Sequence, residues 1–200
     1  MIDYNYKQRF TDHMGRIFYL AIKHKFHFSA ITNKLSNSTF LRRIEYGDYS
    51  MLMDYTPEEL FTSIFNFETD ELSLMKYNDA YWCGYVYANI FYEFNKPFSY
   101  IFLTLPLKEL IDKYPVYHEM DITAIFELFE EKEKEETILS RLLSLRKMKM
   151  TTLSKLTNIP VATIKHYKKS NENIFKANFI TVKKIALALE VDDGVFLNSL

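Results

Sequence analysis

Two hundred residues, 48% hydrophobic and 26% charged, suffice for one large core or two small ones and exclude a disordered chain. Four glycines leave little from which to build phosphate-binding loops, and a single cysteine excludes an intramolecular disulfide framework and any multi-cysteine zinc site, so neither cofactor nor metal is expected. The formal net charge of −1 conceals an uneven distribution: residues 1–137 carry 14 basic against 22 acidic side chains, a net of −8, whereas residues 138–200 carry 11 against 4, a net of +7.

Apolar side chains recurring at three and four positions predict helices over Phe10–Phe26 and Ala80–Phe94. The run Ile17–Ile22 is too short to span a bilayer, which predicts a cytoplasmic protein with no membrane partner. Tyr46, Gly47, Asp48 and Tyr49 mark a break. Thr56 followed by Pro57, Glu58 and Glu59 reads as a helix start, with a hydroxyl cap, a proline in the first turn and two acids at the positive end of the helix dipole. Cys83, between Trp82 and Gly84, and the tyrosines and phenylalanines of Tyr81–Phe94 read as core. Asn95, Lys96 and Pro97 end that helix. Ser99–Leu105 is β-branched and aromatic enough to form a strand, while Leu105, Pro106 and Leu107 with Leu110 and Ile111 begin another helix. Asp121 is expected to cap a helix from Ile122. Its acidic stretch, Glu130 to Glu136, is a solvated face or a surface that masks the basic region, and it either continues into that region or marks the linker before it. Of the 33 aromatic residues, 29 precede Thr137, enough to build a packed core or a protein-binding surface.

From Ile138 onward five short helices are predicted: Ile138–Met148, Thr152–Thr157, Val161–Lys168, Ile180–Leu189 and a last turn at Val195–Leu197. Leu153, Leu156, Ile159, Ile164 and Tyr167 have the spacing of two helices packed across a tight turn, with Asn158 at the left-handed position of the joint. The second of them presents short residues first and cations after, as a helix entering a major groove requires. A +7 segment with this pattern calls for an anionic partner, and double-stranded DNA is the first candidate. The alternative is a small helical module whose lysines are merely solvated.

These residues resemble the lambda-repressor-like, XRE-family helix-turn-helix domain over Ile138–Leu197. LSLRK stands for the first helix, LSKLTNIPVATIKHY for the turn and recognition helix, and Thr181, Val182, Ile185, Ala186, Ala188 and Leu189 follow the family's fourth-helix pattern TLxKIAxALxV. Three departures are Asn158 where the family has Gly, a short joint at Met148–Thr152, and Pro160 in place of a Ser or Thr cap. Periodicity and resemblance together imply a mostly all-α protein: an N-terminal helical domain, residues 1–137, read from periodicity, and a five-helix DNA-binding domain, residues 138–200, implied by the resemblance. It places base-reading positions on Val161, Ala162, Thr163, Lys165 and His166, and phosphate contacts on Thr152, Lys168, Lys169 and Lys176. His166 could equally be a surface residue without a contact. The family gains selectivity by pairing two domains on half-sites, and five packed short helices leave no long apolar stripe, so homodimerisation is expected through the N-terminal part.

In that part Phe40–Gly47 with Asp48, Glu59 and Leu60, Tyr81–Gly84, and Tyr114 with His118, Glu119 and Asp121 are similar to an uncharacterised family of Firmicute proteins, some ending in a helix-turn-helix. This likeness implies a bacterial regulator, antitoxin or mobile-element protein and transfers no chemistry. Ser36–Gly47 echoes a recognition helix, but an insertion and the missing fourth helix argue against a second DNA reader. His118, Glu119 and Asp121, and His24 with His27, complete no metal-ligand or catalytic pattern, so no enzyme activity is expected. Two functions fit: a sequence-specific transcriptional regulator whose N-terminal part dimerises or binds a partner, and an antitoxin or inhibitor acting through protein binding by that part.

Overall fold

The computed structural model describes residues 4–67, 78–191 and 193–196. Among them the backbone forms fourteen α-helices and a closing 3-10 helix, with no strand, as the helical periodicity predicts. No helix of the described residues is long and apolar enough to cross a membrane.

The centre is the pair α1 (Tyr4–Lys23) and α6 (Asp79–Phe94), which make the most extensive helix–helix contact of the fold. On α1, Phe10, Met14, Ile17, Phe18 and Ala21 form one fully buried stripe. Helix α6 is buried almost all round, from Ala80 to Phe91, because it packs against several neighbours at once. The two backbones meet at Gly84, where a Cβ would lie 2.2 Å from the carbonyl oxygen of Met14. Only glycine permits so close an approach.

Helix α1 ends at Lys23 rather than Phe26, because Lys25 takes a left-handed conformation (φ 60°) and turns the chain. Phe26 then packs against Phe65, with ring centroids 4.8 Å apart and the ring planes tilted by 58°. Around the central pair lie α2 (Phe28–Ser36), α3 (Thr39–Glu45), α4 (Met51–Asp54) and α5 (Pro57–Phe65). The start of α5 is the expected one and is a capping box: Thr56 Oγ1 accepts from Glu59 N at 3.2 Å, and Thr56 N donates to Glu59 Oε2 at 2.7 Å. Helix α6 ends where Asn95, Lys96 and Pro97 are expected to end it, and Asn95 closes it in a left-handed conformation.

The segment 99–105 is a helix, not a strand. Phe98, Ile101, Phe102 and Leu105 recur with a 3.6-residue period and are all buried in or beside α7 (Phe98–Thr104). Aromatic and β-branched content favours a strand only where a sheet surface exists to receive it, and none does among the described residues. Helix α8 (Leu107–Tyr117) follows, then α9 (Thr123–Glu135), whose first amide, Thr123 N, donates to Asp121 Oδ1 at 2.9 Å. The acidic stretch breaks at Glu136, which is extended, so α9 does not run on into the basic region.

The basic region holds α10 (Ile138–Leu145), α11 (Met150–Thr157), α12 (Val161–Tyr167), α13 (Asn171–Phe175), α14 (Phe179–Leu189) and the 3-10 helix Asp193–Phe196. Leu197, the expected end of the last turn, lies outside the described residues. The buried side chains of α10–α14 and of Asp193–Phe196 belong with those of the preceding helices to one contiguous apolar cluster, joined through α7. Arg141 on α10 donates to Thr104 O (2.7 Å) and Lys132 O (3.3 Å). The hydroxyl of Tyr100 donates to Glu133 (2.5 Å) and accepts from Asn171 Nδ2 (3.3 Å). Burial and the Glu133 carboxylate push the Tyr100 phenol well above its ordinary range, so the hydroxyl stays protonated and a donor.

Candidate nucleic-acid interface

Helices α11 and α12 are joined by Asn158, Ile159 and Pro160, with Asn158 in the left-handed conformation (φ 57°, ψ 32°) that its place in the sequence predicts. The joint is tied by side chains. Thr157 Oγ1 donates to Leu153 O at 2.7 Å, and Ser154 Oγ donates to Ile159 O at 2.6 Å. Pro160 sits extended before α12 and offers no side-chain cap, leaving its preset φ to direct the first turn.

Ile164, fully buried, keys α12 into the bundle with Leu153 of α11, and Ile159 is buried between them. Leu156 departs from the expected packing. Its side chain is 62% exposed: it stands one turn after the exposed Thr152, at the edge of the face that Leu153 and Thr157 bury.

The proposed contact residues lie at the surface. Val161, Ala162, Lys165 and His166 are exposed along α12, Thr163 is half-buried, and Lys168 and Lys169 follow at the end of the helix. Thr152 is exposed in the first turn of α11. Lys176 is exposed on the far side of α13 but is engaged by Glu172 one turn earlier, so any phosphate contact there must compete with an existing ion pair. Among the described residues no carboxylate pairs with Lys147, Lys149, Lys155, Lys165, Lys168, Lys169 or Lys184. The four basic side chains left over in the region are all occupied: Lys176 on Glu172, Arg141 on backbone carbonyls, Arg146 on Glu190 and the carbonyl of Leu189, and Lys183 over the ring of Phe179.

Lys147, Lys149, Lys155 and Lys184 are exposed cations that the helix-turn-helix pattern alone does not single out. The signal for them is only their charge. The short helix α13 also lies within what reads as a joint; its marks are Ser170, which accepts from Glu172 N at 3.1 Å, and the acid in its first turn. Leu145, Leu156, Val161, Phe179, Ile180 and Leu187 are exposed in this region, so the packing of its helices leaves apolar side chains uncovered.

The residues weighed as catalytic or metal-binding have other occupations. His27 caps α2, His24 stacks near Phe61 and Phe67, and His118 lies flat on Tyr114. Burial pushes the Cys83 thiol well above its ordinary value, where it is no nucleophile. No group of three or more potential metal ligands occurs among the described residues. Comparison of the chain with protein-family models, with curated proteins and with solved structures finds no match.

Proposed function

We propose that the chain is a DNA-binding transcriptional regulator that reads an operator with α12, in the manner of the lambda-repressor-like family its C-terminal third resembles. The observation that carries this reading is the concentration of exposed, unpaired cations around α11 and α12, beside the short exposed side chains Val161 and Ala162. Unpaired lysines give up no internal ion pair on meeting phosphate, whereas Lys108 of α8 and Lys132 and Lys134 of α9 already hold carboxylates. The regulator acts as a homodimer, since one short recognition helix reads few base pairs.

The test is binding of the full chain to DNA from upstream of its own gene across a salt series. With about six phosphate contacts, log K against log salt should fall with a slope of roughly −5. Absence of binding at low salt sinks the proposal. A second reading, an antitoxin or inhibitor that captures another protein through the N-terminal part, draws on the exposed Tyr46, Met53 and Tyr55 around α4. It predicts a stable complex with the product of a neighbouring gene.

A further inference from the structure

We propose that the cleft between α1, α6 and α8 binds a small organic cation, independently of any nucleic acid. The cleft has a volume of about 510 Å³, within the range of small-molecule sites. Its walls carry the rings of Tyr81, Trp82, Tyr85, Tyr114 and His118, with the carboxylate of Asp12 among them.

The rings are held in place before any ligand arrives. Tyr81 lies directly on the α1 backbone, where a Cβ on Gly15 would come within 2.6 Å of it, and its hydroxyl donates to Asp12 Oδ1 at 2.9 Å. Trp82 meets Tyr114 edge to face at 5.5 Å, and Tyr114 stacks on His118 at 4.4 Å. The His118 ring is fixed in turn by a 2.7 Å hydrogen bond between Nδ1 and Tyr114 O. Tyr85 remains 38% exposed at the rim and Trp82 half-buried, so aromatic surface that reads in the sequence as core is uncovered.

The lining chemistry selects the sign of the ligand. Aromatic faces attract cations through their negative quadrupole. Among the described residues no Lys or Arg lines the cleft, and Asp12 is the one carboxylate. Asp12 Oδ2 is met by Arg16 Nε at 3.0 Å, but Arg16 also reaches Glu58 at 3.7 Å, which leaves these three groups with a net charge of −1. A phosphate or carboxylate ligand would find only neutral donors such as the amides of Gln8 and Asn78, with no Lys or Arg among the described lining residues to balance its charge. A metal ion would find one carboxylate and one imidazole, too few to replace its water shell. An alkylammonium or quaternary ammonium group is satisfied by π faces and one carboxylate without needing directed donors.

Trp82 is the only tryptophan of the chain, so its emission reports on this cleft alone. The full-length protein is titrated with choline and with its neutral carbon isostere, 3,3-dimethylbutanol, at constant ionic strength, and saturation-transfer NMR on the ligand methyl protons is recorded in parallel. Choline should give a saturable change, with the isostere at least about tenfold weaker. Asp12→Asn and Tyr85→Ala should each weaken choline binding severalfold, the second at a half-exposed position that leaves folding intact. No saturable signal by either method, equal binding of the isostere, or unchanged binding in both variants would overturn the proposal.

Discussion

Alanine at Gly84 separates local preference from tertiary packing. In an isolated helix the change would stabilise by about 1 kcal/mol through propensity. In the folded chain the new Cβ would stand 2.2 Å from Met14 O and 2.7 Å from Gly15 N, both of them backbone atoms that no rotamer change can move. Ordinary contact needs about 3.5 Å, so α1 and α6 must part by roughly 1 Å, and a gap of that size forfeits about a quarter to a half of the dispersion energy of each pair it opens. Overpacking costs about 1–3 kcal/mol and occasionally more, and contact with backbone puts this site above the usual range. After the propensity gain, a net loss of ~2–3 kcal/mol is expected, or a drop in Tm of about 4–12 °C for a chain of this size. Urea unfolding followed by circular dichroism and a thermal scan measure both. Gly47→Ala is the comparison: its Cβ would meet nothing within 4 Å, and only its φ of +77° is strained, at a cost of about 1–2 kcal/mol. A Gly84→Ala protein as stable as the parent, or less affected than Gly47→Ala, would refute the argument.

Lys165→Ala should relax sequence preference at a cost of about 1–3 kcal/mol for the cognate operator, whereas Lys169→Ala should weaken all DNA alike; identical effects on specific and random duplexes would show that another face of α12 meets the bases. Arg141→Met removes two charge-assisted hydrogen bonds that tie α10 to α7 and α9, and should lower stability by about 1.5–3 kcal/mol in urea unfolding. His13 is buried, and desolvation lowers its pKa below the ordinary 6.5 although its ring nitrogens face the carbonyls of Arg9 and Tyr55. The unfolded chain therefore binds this proton first, so the urea midpoint should fall as pH drops from about 6.5, above the range of carboxylates such as Asp48, which Ser50 and Arg43 hold at about 2. His13→Gln should flatten that dependence between pH 7.5 and 5.5, and an unchanged slope would assign it elsewhere. Light scattering on the full chain at micromolar concentration should give the mass of a dimer; a dimer that dissociates on Ile180→Lys with Leu187→Lys would place the contact on α14, whose exposed Ile180 and Leu187 lie two turns apart, and one that survives would leave it with the N-terminal part.

Several features were legible in the sequence because their physics is confined to a turn or two of chain. The helix start at Thr56 and Glu59, the helix end at Asn95, the left-handed Asn158, and the boundaries of α6 and α12 each depend on residues at most four apart. The opposite charges of the two segments are a matter of composition and needed no fold. The left-handed ends at Lys25, Lys147 and Glu190 carried no such mark, since lysine and glutamate adopt that conformation only when the surrounding helices hold them there.

What the sequence determined by itself is therefore a mostly helical chain with a basic C-terminal third, and the register of its better-marked helices. The tertiary structure decided that 98–104 is a helix rather than a strand, since its period is visible only once α6 and α9 supply the surfaces it packs against. It also decided which aromatic rings are core. Tyr87 and Trp82 sit on the same helix within two turns, yet Tyr87 is fully buried with its hydroxyl on Leu105 O, while Trp82 opens onto a cleft. Nothing local distinguishes them, because burial depends on what lies across from a side chain. Here that is set by how closely Gly84 lets α1 approach α6 and by where α8 comes to rest.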